Sequence, residues 1–252
     1  MTPLSSATLF HFTGRIENLI GILEHEFIPQ YSLEDYSGVL GQLVGDADVS
    51  VGIPMVCFCD MPLSQAASHI TTYGRYSLGL TKEWGKRAGV SPILYTYPGS
   101  ATTAAVVRVH LRVQQLQGTI NDGAEFSGQT ERLWCFVKPY EGELRRDGQE
   151  PKRVRFYDER EWRFVPEGEW RALKRTEFMD FRQRQAANAH LRGRFVLSFD
   201  PADIRYIIVA TEDEIAPMIG EVQRIKSPKY SPADISLLCS RIVSAAQVSA
   251  DF

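Results

Sequence analysis

Two carboxylates stand two residues apart, Glu159 and Glu161, in the most chemically loaded stretch of the chain, Tyr157 to Pro166. Read as part of a strand from Val154 to Val165, this stretch puts Trp162 and Phe164 on one side and Glu159, Glu161 and Arg163 on the other. Two acids so placed repel each other, which costs stability unless cations or a ligand compensate. Two readings stay open. The pair belongs to a site, or it lies on an exposed strand whose acids pair with Arg155, Arg160 or Arg163. Other polar groups next to strand-like segments are His11 in His11-Phe12-Thr13, and His69 with Tyr73. For His11 a satisfied structural role at a strand end is the stronger reading. Tyr73 at a helix end ordinarily packs.

Several chemistries lack their signatures. There is no GxxxxGK[ST], no strand-coupled GxGxxG, no GxSxG and no HExxH, since His25-Glu26 has no second histidine four residues on. Cys57 and Cys59 sit in an apolar run, Pro54 to Phe58, and read as buried small hydrophobes, so no metal site is expected. With no disulfide framework among Cys57, Cys59, Cys135 and Cys239, a reducing compartment is the simpler setting. The 28 basic and 31 acidic residues leave a net charge of −3, which is no strong nucleic-acid footprint. The first residues carry no signal-peptide pattern and no stretch reaches a membrane span, so a cytoplasmic location without membrane is expected.

The elements that must position these residues follow from periodicity. Leu9 to Phe12 reads as a strand, followed by an amphipathic helix with Ile16, Leu19, Ile20 and Leu23 on one face and Thr13 as its N-cap. Residues 31–52, rich in glycine and without a sustained period, are expected to run over the surface. Met55 to Cys59 is a buried strand, and a helix from Asp60-Pro62 to Tyr73 is stopped by Gly74. Tyr76 to Leu80 is another strand, and the length of Ala101 to Leu116 favours a helix over a strand. Residues 141–153 are charged and turn-rich, an exposed connection. Residues 167–194 form the most basic part, which a solvated helix explains equally well. Phe195 to Phe199 and Ile204 to Val209 read as strands joined by Asp200-Pro201. Ser231-Pro232-Ala233-Asp234 caps a last helix carrying Ile235, Leu238, Cys239 and Ile242. At 252 residues, a single domain spanning 1–252 is expected, of class α+β.

Four strings carry a family resemblance over about Leu9 to Thr211: Leu9 to Thr13 (LFHFT), Met55 to Ser64 (MVCFCDMPLS), Tyr73 to Leu80 (YGRYSLGL) and Phe156 to Arg163 (FYDEREWR). They resemble the AbiGi family of bacterial abortive-infection proteins. The resemblance implies a cytoplasmic phage-defence protein, the antitoxin of a two-gene pair whose other member is a nucleotidyltransferase-like toxin. A second resemblance, in motif order, is to enzymes of the ADP-ribosyltransferase fold with a His-Tyr-Glu triad. It implies two small sheets around a cleft with flanking helices. It also implies NAD as substrate, an acceptor left unidentified, and a site with His11, Phe12, Thr13, Tyr73 and Tyr76 toward NAD. Glu161 and Glu159 would then be the catalytic acids. In such a site the histidine holds the ribose, an aromatic ring stacks on nicotinamide, and Glu161 stabilises an oxocarbenium-like carbon. Glu159 would polarise the acceptor, and Tyr76 is the candidate second stacking ring. The alternative implied by the family is a non-catalytic antitoxin or sensor that binds a partner toxin, a phage-derived protein or a nucleotide.

Overall fold

The computed structural model describes residues 5–44, 48–116, 123–144, 150 and 152–251. In chain order the strands are β1 (Thr8–Thr13), β2 (Gln30–Asp35), β3 (Ser50–Asp60), β4 (Tyr76–Thr81), β5 (Ser91–Pro92), β6 (Leu94–Thr96), β7 (Val137–Pro139), β8 (Gly142–Leu144), β9 (Lys152–Val154), β10 (Glu161–Phe164), β11 (Leu173–Lys174), β12 (Ile204–Val209) and β13 (Ile242–Ser244). The helices are α1 (Ile16–His25), α2 (Ser37–Val44), α3 (Ala66–Tyr73), α4 (Lys82–Arg87), α5 (Ala101–Leu116), α6 (Gly123–Trp134), α7 (Arg175–Met179), α8 (Phe181–Leu191), α9 (Ile215–Lys226), α10 (Pro232–Cys239) and α11 (Ala245–Asp251). The class is α+β with a mixed sheet. Two compact units make up the chain. One comprises residues 1–29, 56–91 and 191–252, the other 30–55 and 92–190, and β3 passes from the second into the first.

The first unit is built on the strand order β13-β12-β4-β1-β3. β12 and β13 run parallel, while β4 pairs antiparallel with β12 and with β1. Alternation along β1 sends Phe10 into a cluster with Met61, Ala66, Ile70, Ile208, Ala245 and Val248, with Phe12 packed against it. The opposite face of β1 carries Leu9 and His11. Here Phe27, Phe58, Trp84 and Phe199 pack edge-on or tilted against one another. Gly74 ends α3 with a φ of 130°, its N–H donating to the Ile70 carbonyl at 3.2 Å. A Cβ there would run into the backbone of Thr13 and Gly14, so the stop needs glycine.

The second unit pairs β2 antiparallel with the first half of β3, from Gln30 opposite Met55 to Asp35 opposite Ser50. β11 pairs with the same half of β3, and β6 with β7 and β8 with β9 form two-stranded ribbons. Within it, Tyr31, Tyr36, Val39 and Ile53 are buried.

Several expectations need correction. Residues 31–52 are not a surface excursion: their apparent lack of period hides most of β2, the helix α2 and the start of β3, each stretch too brief to establish one, and residues 45–47 lie outside the described residues. The connection at 141–153 contains the β8–β9 ribbon, with 145–149 and 151 outside the described residues. Thr13 is not the cap of α1. Arg15 holds that position, and the Thr13 hydroxyl instead accepts from the Asn18 amide at 2.9 Å. Phe195 to Phe199 is no strand, making only a bridge between Leu197 and Phe27. Ile242 opens β13 instead of extending α10, which ends at Cys239. The capping box at Ser231 is present, its hydroxyl accepting from Asp234 N–H at 3.2 Å.

Candidate functional site

Val154 to Val165 is not one strand. Val154 ends β9, Phe156–Glu159 is a short 3-10 turn, Arg160 is left-handed with φ 44°, and Glu161–Phe164 is a separate strand. A non-glycine residue in that region costs on the order of 1 kcal/mol or more. The reversal at Arg160 has a consequence for its neighbours. It lets Glu159 and Glu161, on different elements, reach the same cation.

That cation is Lys138, whose Nζ lies 3.0 Å from Glu159 Oε2 and 2.7 Å from Glu161 Oε2. Arg163, fully buried, donates from Nε to Glu161 Oε1 at 2.5 Å and pairs with Glu34 Oε1 at 2.9 Å. It also donates from Nη1 to the Cys135 carbonyl at 2.9 Å. The β6–β7 register sets Tyr95 beside Lys138, and the Tyr95 hydroxyl accepts from the Glu161 N–H at 2.9 Å. The Lys138 ammonium also lies 4.7 Å from the centre of the Phe156 ring. Three acids and two cations thus form one buried network inside the second unit.

Burial alone would push the Glu161 carboxyl up, but Arg163 and Lys138 outweigh it and hold it well below the usual carboxylate range. Burial likewise disfavours the Lys138 ammonium, and Glu161, Glu34 and Glu159 more than reverse this. Glu161 and Lys138 therefore stay ionised throughout the neutral range.

Of the reading as an exposed strand with its acids paired to arginines, the exposure is overturned, because Glu159 and Glu161 are 9% and 4% exposed, while the pairing holds between Glu161 and Arg163. Arg155 pairs with Asp158 instead. Sequence reasoning missed Lys138, Glu34 and Tyr95. The usable signal was a lysine inside the apolar run Cys135-Phe136-Val137-Lys138-Pro139, which a buried strand keeps only with a charged partner.

The remaining candidates lie in the first unit. His11 sits with its ring 5.1 Å from Phe27 and 5.8 Å from Phe58, and its Nδ1 donates to the Cys57 carbonyl at 2.8 Å. Burial pushes its pKa below 6.5, with the Cys57 bond partly opposing, so the imidazole is neutral at pH 7. Phe12, on the opposite face of β1, packs 6.0 Å from His69, which stacks on Tyr73 at 5.5 Å. Thr13 lies opposite Tyr76 in the β1–β4 register, and the Tyr76 hydroxyl donates to Glu214 at 2.9 Å. Phe12 and Tyr73 are thus linked through His69, while His11 points from the other face of β1.

A neutral His11 in an aromatic setting predicts a pH effect. Its folded pKa lies below 6.5, so the unfolded chain takes up the proton first. The stability it contributes is complete above about pH 6.5 and is lost as the pH falls through the folded value. In urea unfolding, wild-type stability should drop between about pH 7 and pH 5 more steeply than that of His11→Gln, which keeps a donor but cannot titrate. Equal slopes would refute the role given to His11.

Residues 25–210 match the family model described as "Putative abortive phage resistance protein AbiGi, antitoxin". The chain belongs to the AbiGi family. Among curated proteins, the abortive phage resistance protein AbiGi of Lactococcus lactis subsp. cremoris is 28% identical over 225 residues, covering 79% of this chain and 89% of that protein. The matched range takes in the network residues Glu34, Lys138, Glu159, Glu161 and Arg163, and leaves His11 outside. No solved structure matches this AbiGi member. Among its described residues, no helix is long and apolar enough to cross a membrane, and no group of three or more His, Cys, Asp or Glu could hold a metal ion.

Proposed function

We propose that this AbiGi-family protein serves anti-phage defence as a partner-binding antitoxin. Its occupant would be a cognate toxin protein. The observation that carries this reading is the state of Glu161: both carboxylate oxygens are engaged by Arg163 and Lys138, so the acid is committed to holding the second unit together. A buried, fully paired carboxylate is costly to recruit for chemistry, because its cations would be left uncompensated. The neutral His11, turned toward Phe27 and Phe58, fits the same view. Co-expression with the protein encoded beside it tests the proposal: the two should co-purify, and growth inhibition by that neighbour should be relieved. Absence of both effects sinks it.

The second reading is an NAD-dependent ADP-ribosyltransferase-like enzyme with Glu161 and Glu159 catalytic and His11, Phe12, Thr13, Tyr73 and Tyr76 toward NAD. The convergence of both acids of the Glu-Arg-Glu string on one lysine favours keeping it. A trigger that draws Lys138 away would release the pair.

A further inference from the structure

The second unit carries an open slot of about 600 Å³ that shares no residue with the charge network, a size suited to a small ligand. One wall is helix α8, through Gln183, Ala186, Ala187 and His190. Their i, i+3, i+4, i+7 spacing makes a single face about 10 Å long, and the two alanines let a flat group lie close to the helix. The other lining comes from Trp170, Tyr31 and Leu173.

The polar atoms of both aromatic rings are already used. Trp170 Nε1 donates to the Pro166 carbonyl at 2.9 Å and the Tyr31 hydroxyl to the Arg171 carbonyl at 2.7 Å. What the half-buried Trp170 offers a ligand is therefore a fixed aromatic face. At the rim, the Glu169 carboxylate is an acceptor, and so is the Gln183 carbonyl, because its amide nitrogen is fixed by donation to Asp180 at 2.9 Å. Arg171 spends Nη1 and Nη2 on Glu177, each at 2.9 Å, which leaves the Nε–Nη2 edge as a second two-donor fork. Such a fork matches a phosphate.

We propose that this slot binds a guanine mononucleotide. The base would stack on Trp170, its N1–H and N2–H donors would meet Glu169 and Gln183, and its phosphate would meet Arg171. Adenine, with a single exocyclic amine donor on that edge, satisfies the two acceptors less well. The inference goes beyond the antitoxin role and does not depend on it.

Titration of the full chain with GMP, AMP, guanosine and NAD, followed by calorimetry, tests it. GMP should bind more tightly than AMP and guanosine. Trp170→Ala should weaken GMP at least about tenfold. Arg171→Ala should bring GMP down to the level of guanosine. Ala186→Leu, a substitution at an exposed helical position, should block the slot without moving the urea midpoint. No binding of GMP at millimolar concentration overturns the proposal, as does GMP binding that survives both Trp170→Ala and Ala186→Leu. NAD bound in preference to GMP would also overturn it.

Discussion

Replacing Arg163 with methionine is expected to destabilise the protein by about 3–5 kcal/mol, the scale for removing one partner of a buried ion pair. Arg163 stands between Glu34 and Glu161, both nearly inaccessible to water, and its loss leaves the network with three carboxylates and one of its two cations, Lys138. Glu161→Gln is expected to cost clearly less. That change leaves two acids and two cations, with Glu34 on Arg163 and Glu159 on Lys138. Urea unfolding of the two variants at neutral pH checks the order. Equal losses, or a larger loss for Glu161→Gln, would mean that the network is not governed by its charge count. The same depressed Glu161 pKa makes the network acid-sensitive in a defined sense. Its contribution is present above the ordinary glutamate value of 4.5 and is lost as the pH falls below it.

Saturating NAD is expected to leave the melting temperature unchanged, whereas the neighbour-encoded partner should raise it. At a hundred times its dissociation constant, a ligand specific for the folded state adds about 2.7 kcal/mol. For a chain of this size that is on the order of 5–10 °C. The transferase reading expects the reverse. There NAD itself produces the rise without added divalent metal, and His11→Ala and Tyr73→Ala diminish it. In that case Glu161→Gln should reduce NAD turnover by a hundredfold or more while the protein stays folded, as for a charge that acts only in the transition state. A rise with NAD would displace the antitoxin proposal, and a rise with the partner alone would retire the enzyme.

What the sequence determined by itself was local. The short apolar strands at Leu9 to Phe12 and Tyr76 to Leu80, the stop at Gly74, the helix at Ala101 to Leu116 and the box at Ser231 are each set by neighbours within a few residues, where local composition, period and capping act. The Glu-Arg-Glu string was visible as a chemical oddity for the same reason. Its meaning was not. Whether two acids are a solvated pair or a buried network depends on which cation arrives, and Lys138 and Glu34 come from positions far along the chain. Even the strand that seemed to carry both acids was broken by the left-handed Arg160, a conformation that no propensity of arginine announces. The burial of His11 was likewise decided by Phe27 and Phe58, brought beside it by chain packing and by the β1–β3 register respectively. Charge spacing is written along the chain, but the dielectric around a charge and the identity of its partner exist only once distant segments have packed.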